Sequence, residues 1–194
     1  MQAMKRRAAL IAALPLVGWA PVAWTAGDDA VAARLRVGRV AVLLRHSISD
    51  PGIGDPPEFR LDSCSTQRNL SAEGRAQARR IGAWFKARGL VPARVRSSAW
   101  CRCIDTGTLA FGRAEPWLAL NSFFGEADGR DRQSGELGAA LPRIAAGAFE
   151  VWVTHQINIT ALTAEFAQMG EACVVERPAP GAPIQVVGRF SPGA

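Results

Sequence analysis

The stretch Val37-Gly38-Arg39-Val40-Ala41-Val42-Leu43-Leu44-Arg45-His46-Ser47 decides how the rest of the chain is read. Its apolar run, Val40 to Leu44, stops abruptly at an arginine and a histidine. A run this short and this apolar is a strand buried on both faces, as in a parallel sheet. Open α/β sheets bind ligands beyond the carboxyl ends of their strands, and Arg45 and His46 stand at such an end. The chain has two histidines in all. The second, His155, terminates another apolar run, Phe149-Glu150-Val151-Trp152-Val153-Thr154. Two strands that each deliver a histidine at the C-terminal end would place both rings in one crevice.

Working outward, strands and helices alternate. Ile48 to Asp62 is a loop rich in Pro, Gly and Asp, lying next to the candidate crevice as a substrate-facing rim. Ser71 is the expected N-cap of a helix with Glu73 in its first turn. Ala78, Ile81, Trp84 and Phe85 form its apolar stripe, and Gly89 is its stop. A short strand within Val91–Ser98 ends at Ser97-Ser98, and a helix beginning at Ala99 carries Arg102 about one turn in. Such a strand-to-helix break offers free backbone N–H groups to an anion. Further expectations are a strand over Pro116–Leu120, a helix over Glu136–Ala146 limited or kinked at Pro142, and a helix over Ile157–Gln168. A C-terminal hairpin pairs Glu171–Glu176 with Ile184–Phe190. The alternation predicts an α/β fold: a single three-layer domain with a mostly parallel sheet flanked by helices.

The formal charge of +6 argues for no nucleic-acid partner. The basic residues are scattered arginines, with lysine only at Lys5 and Lys86, and no basic block or aromatic-interleaved stripe exists. Residues 1–26 have the pattern of a signal peptide: Lys5-Arg6-Arg7, an apolar segment from Ala8 to about Trp24, then small residues. Cleavage would leave residues 27–36 as a linker or short helical lead-in and 37–194 as the domain, in an exported, periplasmic protein. The alternative is an uncleaved segment that anchors the protein to a membrane. Export makes disulfides the first reading of Cys64, Cys101, Cys103 and Cys173. Cys64 is expected to pair with Cys101 or Cys103. A zinc site that borrows His46 or His155 is the rival reading.

Four side chains thus converge from three strand ends: Arg45, His46, Arg102 and His155. Guanidinium groups bind phosphate oxygens through paired, charge-assisted hydrogen bonds. A neutral histidine can attack phosphorus, and neighbouring cations lower its pKa and keep it neutral. No Gly-x-Ser-x-Gly elbow is present, which sets a serine hydrolase aside.

In these residues the chain resembles the histidine phosphatase superfamily, with its phosphoglycerate mutase-like fold. The family's Arg-His-Gly motif is similar to Arg45-His46-Ser47. Its Leu-Ser/Thr-x-x-Gly helix start resembles Leu70-Ser71-Ala72-Glu73-Gly74, and its Ser-Ser-x-x-x-Arg-x-x-x-Thr motif matches Ser97 through Arg102 to Thr106. Its second histidine follows an apolar strand, as His155 does. The likeness covers about Val37 to Thr163. It implies that His46 is the nucleophile, that Arg45 and Arg102 hold the phosphate with Ser47 alongside, and that His155 stabilises the phosphoryl group in transfer. It implies a small phosphorylated substrate and no metal or organic cofactor.

Three positions depart from the family pattern. Ser47 replaces glycine. Asn121 stands where many members carry a glutamate general acid, and Gln156 follows the second histidine where another branch has aspartate. Glu126 is the candidate substitute acid, with Asp128 beside it. A site without a strong acid suits substrates with easy leaving groups, such as phosphohistidine and acyl or aryl phosphates. The rival within the same fold is a non-catalytic phosphate-binding or regulatory relative.

Overall fold

Two central strands set the architecture: β1 (Val40–Arg45) and β4 (Phe149–Thr154) pair in parallel, Val40 opposite Phe149 and Arg45 opposite Thr154. The structure is a computed structural model that describes residues 27–124 and 128–193. β2 (Arg94–Ser97) lies parallel on the other side of β4, and β3 (Glu115–Pro116) lies parallel to β2. β5 (Ala172–Glu176) runs antiparallel to β1, and β6 (Gln185–Phe190) antiparallel to β5. The six-stranded order is β3-β2-β4-β1-β5-β6, so β5 alone opposes the common strand direction.

β1 shows why the sheet is covered on both sides. Side chains alternate between faces along a strand. Val40, Val42 and Leu44 pack into one core with Val151, Val153 and Val174. Ala41 and Leu43 pack into a second core with Trp152, Cys173 and Val175. Helices α1 (Asp28–Val37), α2 (Ala72–Ala87) and α3 (Cys101–Phe111) cover the first face. Helices α4 (Gly129–Ala140) and α5 (Gln156–Thr163) cover the second. This is the three-layer α/β domain with a mostly parallel sheet expected from the sequence.

The stretch 27–36, read as a linker or a short helical lead-in, is a helix, Asp28–Val37, that packs on the domain. Val31, Ala32 and Leu35 bury against the first core, while its polar residues leave only a weak periodic signal. α4 begins seven residues before the expected Glu136, because Gly129 to Gly135 is polar and carries no apolar stripe. Pro142 sits in the 3₁₀ turn Leu141–Arg143 that ends it. α5 stops at Ala164, which adopts φ +62°, and Gln156 Oε1 accepts from Ala167 N–H to hold the reversed chain. The strand expected over Pro116–Leu120 reduces to Glu115–Pro116, followed by a 3₁₀ turn at Leu118–Leu120.

The start of α2 is built against the loop after β1. Ser71 caps it by accepting from Gly74 N–H at 3.0 Å. Ser71 N–H in turn donates to the Ile48 carbonyl at 3.1 Å. A Cβ at position 74 would lie 1.7 Å from that oxygen, so only glycine allows the helix to approach the segment that carries His46. At the other end Gly89 takes φ +64° as the stop.

The proposed leader, residues 1–26, lies outside the described residues. Among the described residues no helix is long and apolar enough to cross a membrane. Cys64 pairs with Cys101, and Cys103 and Cys173 are buried free thiols. The bridge closes a 37-residue separation and ties the rim loop to the first residue of α3. Cys64→Ser with Cys101→Ser is expected to cost about 2–4 kcal/mol, mainly by releasing the unfolded chain from that constraint. Urea unfolding of the oxidised protein beside the double variant measures it.

Candidate active site

The register of β1 and β4 is what makes a site. Arg45 and Thr154 are opposite, and His46 N–H donates to the Thr154 carbonyl at 3.0 Å. His46 and His155 therefore leave neighbouring strands at the same level, with ring centroids 5.6 Å apart. Arg102, at the second position of α3, completes the group. A cleft of about 600 Å³ receives Arg45, His46, Arg102 and His155, together with Asp55, Arg68 and Trp100.

Each ring has its proton placed by its partners. His46 Nδ1 lies 2.8 Å from the Ser47 carbonyl. A carbonyl only accepts, so Nδ1 carries the hydrogen and the neutral ring keeps its lone pair on Nε2. Burial first, then the Arg102 charge, lowers the His46 pKa to about 3. His155 Nδ1 faces the Arg102 Nη2 donor at 3.4 Å, and Nε2 lies 2.8 Å from Ser98 Oγ. This orients Nε2–H toward Ser98. Burial, then the His46 and Arg102 charges, hold His155 well below its ordinary value.

Around the two neutral rings stand three arginines. Arg102 Nη1 donates to Asp55 Oδ1 at 2.7 Å in a buried ion pair. Arg45 Nη1 donates to the Ala167 carbonyl at 2.8 Å, and Arg68 Nη1 to the Gly52 carbonyl at 3.0 Å. Among the described residues, the Nε–H groups of all three are buried without a hydrogen-bond partner. A buried donor without a partner is costly, and three guanidinium groups lining one cleft make it strongly cationic. Burial, and then the mutual proximity of Arg68 and Arg102, lower the Arg45 pKa.

Ser47 and Thr106 brace the floor. Ser47 N–H donates to Thr106 Oγ1 at 3.0 Å, and Thr106 Oγ1 donates to the Arg102 carbonyl at 2.7 Å. Three of the amides expected to be free where β2 breaks into α3 are engaged: Ala99 N–H donates to Asn121 Oδ1, Trp100 N–H to Ser98 Oγ, and Cys101 N–H to Gln67 Oε1. The positive charge of the cleft comes from side-chain guanidinium groups.

The departures from the family motif also have places. Asn121 ties down the start of α3 and does not line the cleft. Gln156 lines it, but its amide is engaged with Thr160, Glu165 and Ala167. Glu126 lies outside the described residues. Asp128 is exposed at the N-cap of α4 and does not line the cleft.

Asp55 is the one carboxylate lining the cleft among the described residues. Bonds from Arg102, the Arg68 amide and Trp100 outweigh its burial and lower its pKa. Nothing in the sequence singles out Asp55 and Arg68. Both sit on the long connection between β1 and α2, where neither periodicity nor a motif marks a position; Asp55 lies within the rim loop Ile48–Asp62, the one signal that the sequence offers, and Arg68 lies beyond it. Among the described residues no group of three or more His, Cys, Asp or Glu side chains is arranged to hold a metal ion, and the disulfide removes two cysteines from the zinc reading.

No protein-family model and no curated protein matches this sequence. Solved structures do share its fold. The protein histidine phosphatase SixA complexed with tungstate superposes with a TM-score of 0.57 at 15% identity, covering 79% of this chain and 97% of that one. The mycobacterial glucosyl-3-phosphoglycerate phosphatase with inorganic phosphate gives 0.58 at 16% identity, covering 80% and 99%. The alpha-ribazole phosphatase from Shigella flexneri gives 0.52 at 13% identity, covering 76% and 95%. The chain has the fold of the histidine phosphatases, with His46 and His155 at the adjoining ends of its two central strands.

Proposed function

We propose that the protein is an exported phosphatase that hydrolyses a phosphorylated small molecule through a phosphohistidine on His46. The observation that carries this reading is the His46 ring itself. It is neutral, fixed with its lone pair on Nε2, and held in a cleft with three arginines. Nε2 attacks phosphorus, the P–N bond forms, and the bond to the leaving group breaks with its electron pair going to that group. Arg45, Arg68 and Arg102 hold the phosphoryl oxygens, and charge-assisted bonds of this kind contribute most where charge spreads in the transition state. His155 sits beside them as a positioning group, its ring fixed between Ser98 and the Arg102 guanidinium. Water then attacks phosphorus and releases phosphate and the free imidazole. The named activities of the solved neighbours, all phosphatases, support the same class.

Asp55 is held ionised by Arg102 and cannot serve as a ready proton donor. With Asp55 the one carboxylate lining the cleft among the described residues, the site favours leaving groups that need little protonation, such as aryl or acyl phosphates and phosphohistidine. Export is supported by the leader pattern in residues 1–26 and by the Cys64–Cys101 bridge, since disulfides persist in oxidising compartments. Phosphate binding without turnover is the second reading, favoured by the structural use of Asn121 and Gln156 where acids would stand.

The test is a single-turnover reaction with phenyl phosphate, quenched in alkali and analysed by mass spectrometry. The expected result is an acid-labile phosphoryl group on His46. Phosphate release with the label on another residue, or with none on His46, overturns the mechanism. Phosphate affinity with no release from aryl or acyl phosphates selects the second reading.

A further inference from the structure

The cleft is built in two parts of opposite character. Its floor is the cationic cluster already described. Its mouth is formed by Ile53, Phe59, Trp100, Phe124 and Ile157. Ile53 is fully exposed and Phe124 is 81% exposed, large apolar side chains presented to solvent beside a charged floor. Scattered exposed apolar residues need no explanation, but a cluster at the rim of a cleft marks a binding surface.

The polar groups at this mouth are already spent. The Gln156 amide donates to Thr160 Oγ1 and the Glu165 carbonyl and accepts from Ala167 N–H. Trp100 Nε1–H donates to Asp55 Oδ2 at 3.0 Å. The other Asp55 oxygen accepts from Arg102 and from the Arg68 amide. Ser122 is the remaining hydroxyl, and its oxygen accepts from Phe124 N–H. A sugar or polyol entering here would give up hydrogen bonds to water and find almost none in return, at a cost for each unpaired group. An apolar body loses nothing and leaves water.

We propose that the cleft selects phosphoryl compounds whose leaving group is an apolar, preferentially aromatic body, and discriminates against sugar and polyol phosphates. This rests on the phosphate-binding reading of the floor and goes beyond it by assigning the rest of the substrate. Ile53 and Phe124 are then specificity-determining residues, remote from the reacting atoms. The selection is consistent with Asp55, the one carboxylate lining the cleft among the described residues, being held ionised by Arg102, since an aromatic oxygen is a leaving group that needs little protonation.

Binding and turnover are tested separately. Titration calorimetry of the full chain with hexylphosphonate, methylphosphonate and glucose 6-phosphate is the first arm. Hexylphosphonate is expected to bind at least about tenfold tighter than the other two, the equivalent of about two methylenes leaving water. In Ile53→Ser with Phe124→Ser, that advantage falls below about threefold while methylphosphonate affinity is unchanged. Equal affinity for the three ligands, failure of hexylphosphonate to bind, or full discrimination in the double variant overturns the proposal. The second arm compares kcat/KM for 2-naphthyl and phenyl phosphate, whose leaving groups are similarly acidic. Turnover with no preference for the naphthyl ester refutes the selectivity and leaves the phosphatase standing. Apolar-selective binding without phosphate release refutes the phosphatase and leaves the selectivity standing.

Discussion

His46→Ala is expected to abolish phosphate release, lowering kcat by at least about a thousandfold, because no other side chain can take over the bond to phosphorus. The fold should survive. His46 contributes one side-chain hydrogen bond, to the carbonyl of the next residue, and the β1–β4 pairing runs through backbone atoms that the substitution leaves in place. The variant also separates chemistry from stability through pH. The His46 pKa is about 3 in the folded protein against an ordinary value near 6.5. Between those values the unfolded chain binds a proton that the folded protein refuses, so this histidine makes stability fall as pH drops from about 6.5 toward 3. Above that window it contributes nothing to the pH dependence. Wild type should therefore lose about 1 kcal/mol more than His46→Ala between pH 7.5 and 5.5, as read from paired urea titrations. The same low value keeps the nucleophile unprotonated at pH 5, so the acid limb of kcat/KM should not report a group titrating near 6.5. A limb centred there, lost in His46→Ala, would show that the ring is not held neutral as the geometry requires.

The parts of this molecule legible in the sequence are those with a periodic or positional signature. The buried runs ending at His46 and His155 announced two parallel strands, and Ser71 and Gly89 marked the two ends of α2. The central constellation followed from those strand ends, and the cleft does receive Arg45, His46, Arg102 and His155. Other features had no such signature. α4 is nearly uniformly polar over its first turns, and its packing depends on Leu137 and Gly138 meeting elements far away in sequence. Asp55 and Arg68 reach the cleft from a loop whose path is set by the Cys64–Cys101 bridge and by bonds such as Arg68 N–H to Asp55. Nothing local in Pro51 to Asp62 encodes that path. Asn121 shows the same limit from the other side: the motif marks it as a departure from the family's acid, and only the fold shows that its side chain anchors the start of α3.

Arg102→Ala is expected to damage activity and stability together, and Asp55 is the reason. The guanidinium faces Asp55, His155 and the Trp100 ring from one position. Removing it takes away a preorganised cation from the phosphoryl oxygens, with an expected loss of about 10²–10³ in kcat/KM. It also strands the Asp55 carboxylate, buried with only the Arg68 amide and the Trp100 indole as donors. Breaking a buried pair from one side costs about 3–5 kcal/mol, because the remaining charge is left uncompensated. Adding Asp55→Asn removes that charge and keeps one side-chain oxygen, which can accept from the Arg68 amide or the Trp100 indole but not from both. The double variant should recover part of the lost stability and none of the lost activity, measured by urea unfolding and by phosphate release. Recovery of both would mean that Arg102 acts only through Asp55 and never meets the phosphoryl group. Recovery of neither would mean that the buried pair is not what Arg102 contributes to the fold. The predicted split follows from one guanidinium serving two anions: the resident Asp55 carboxylate that it keeps ionised, and a phosphate entering the cleft that it lines.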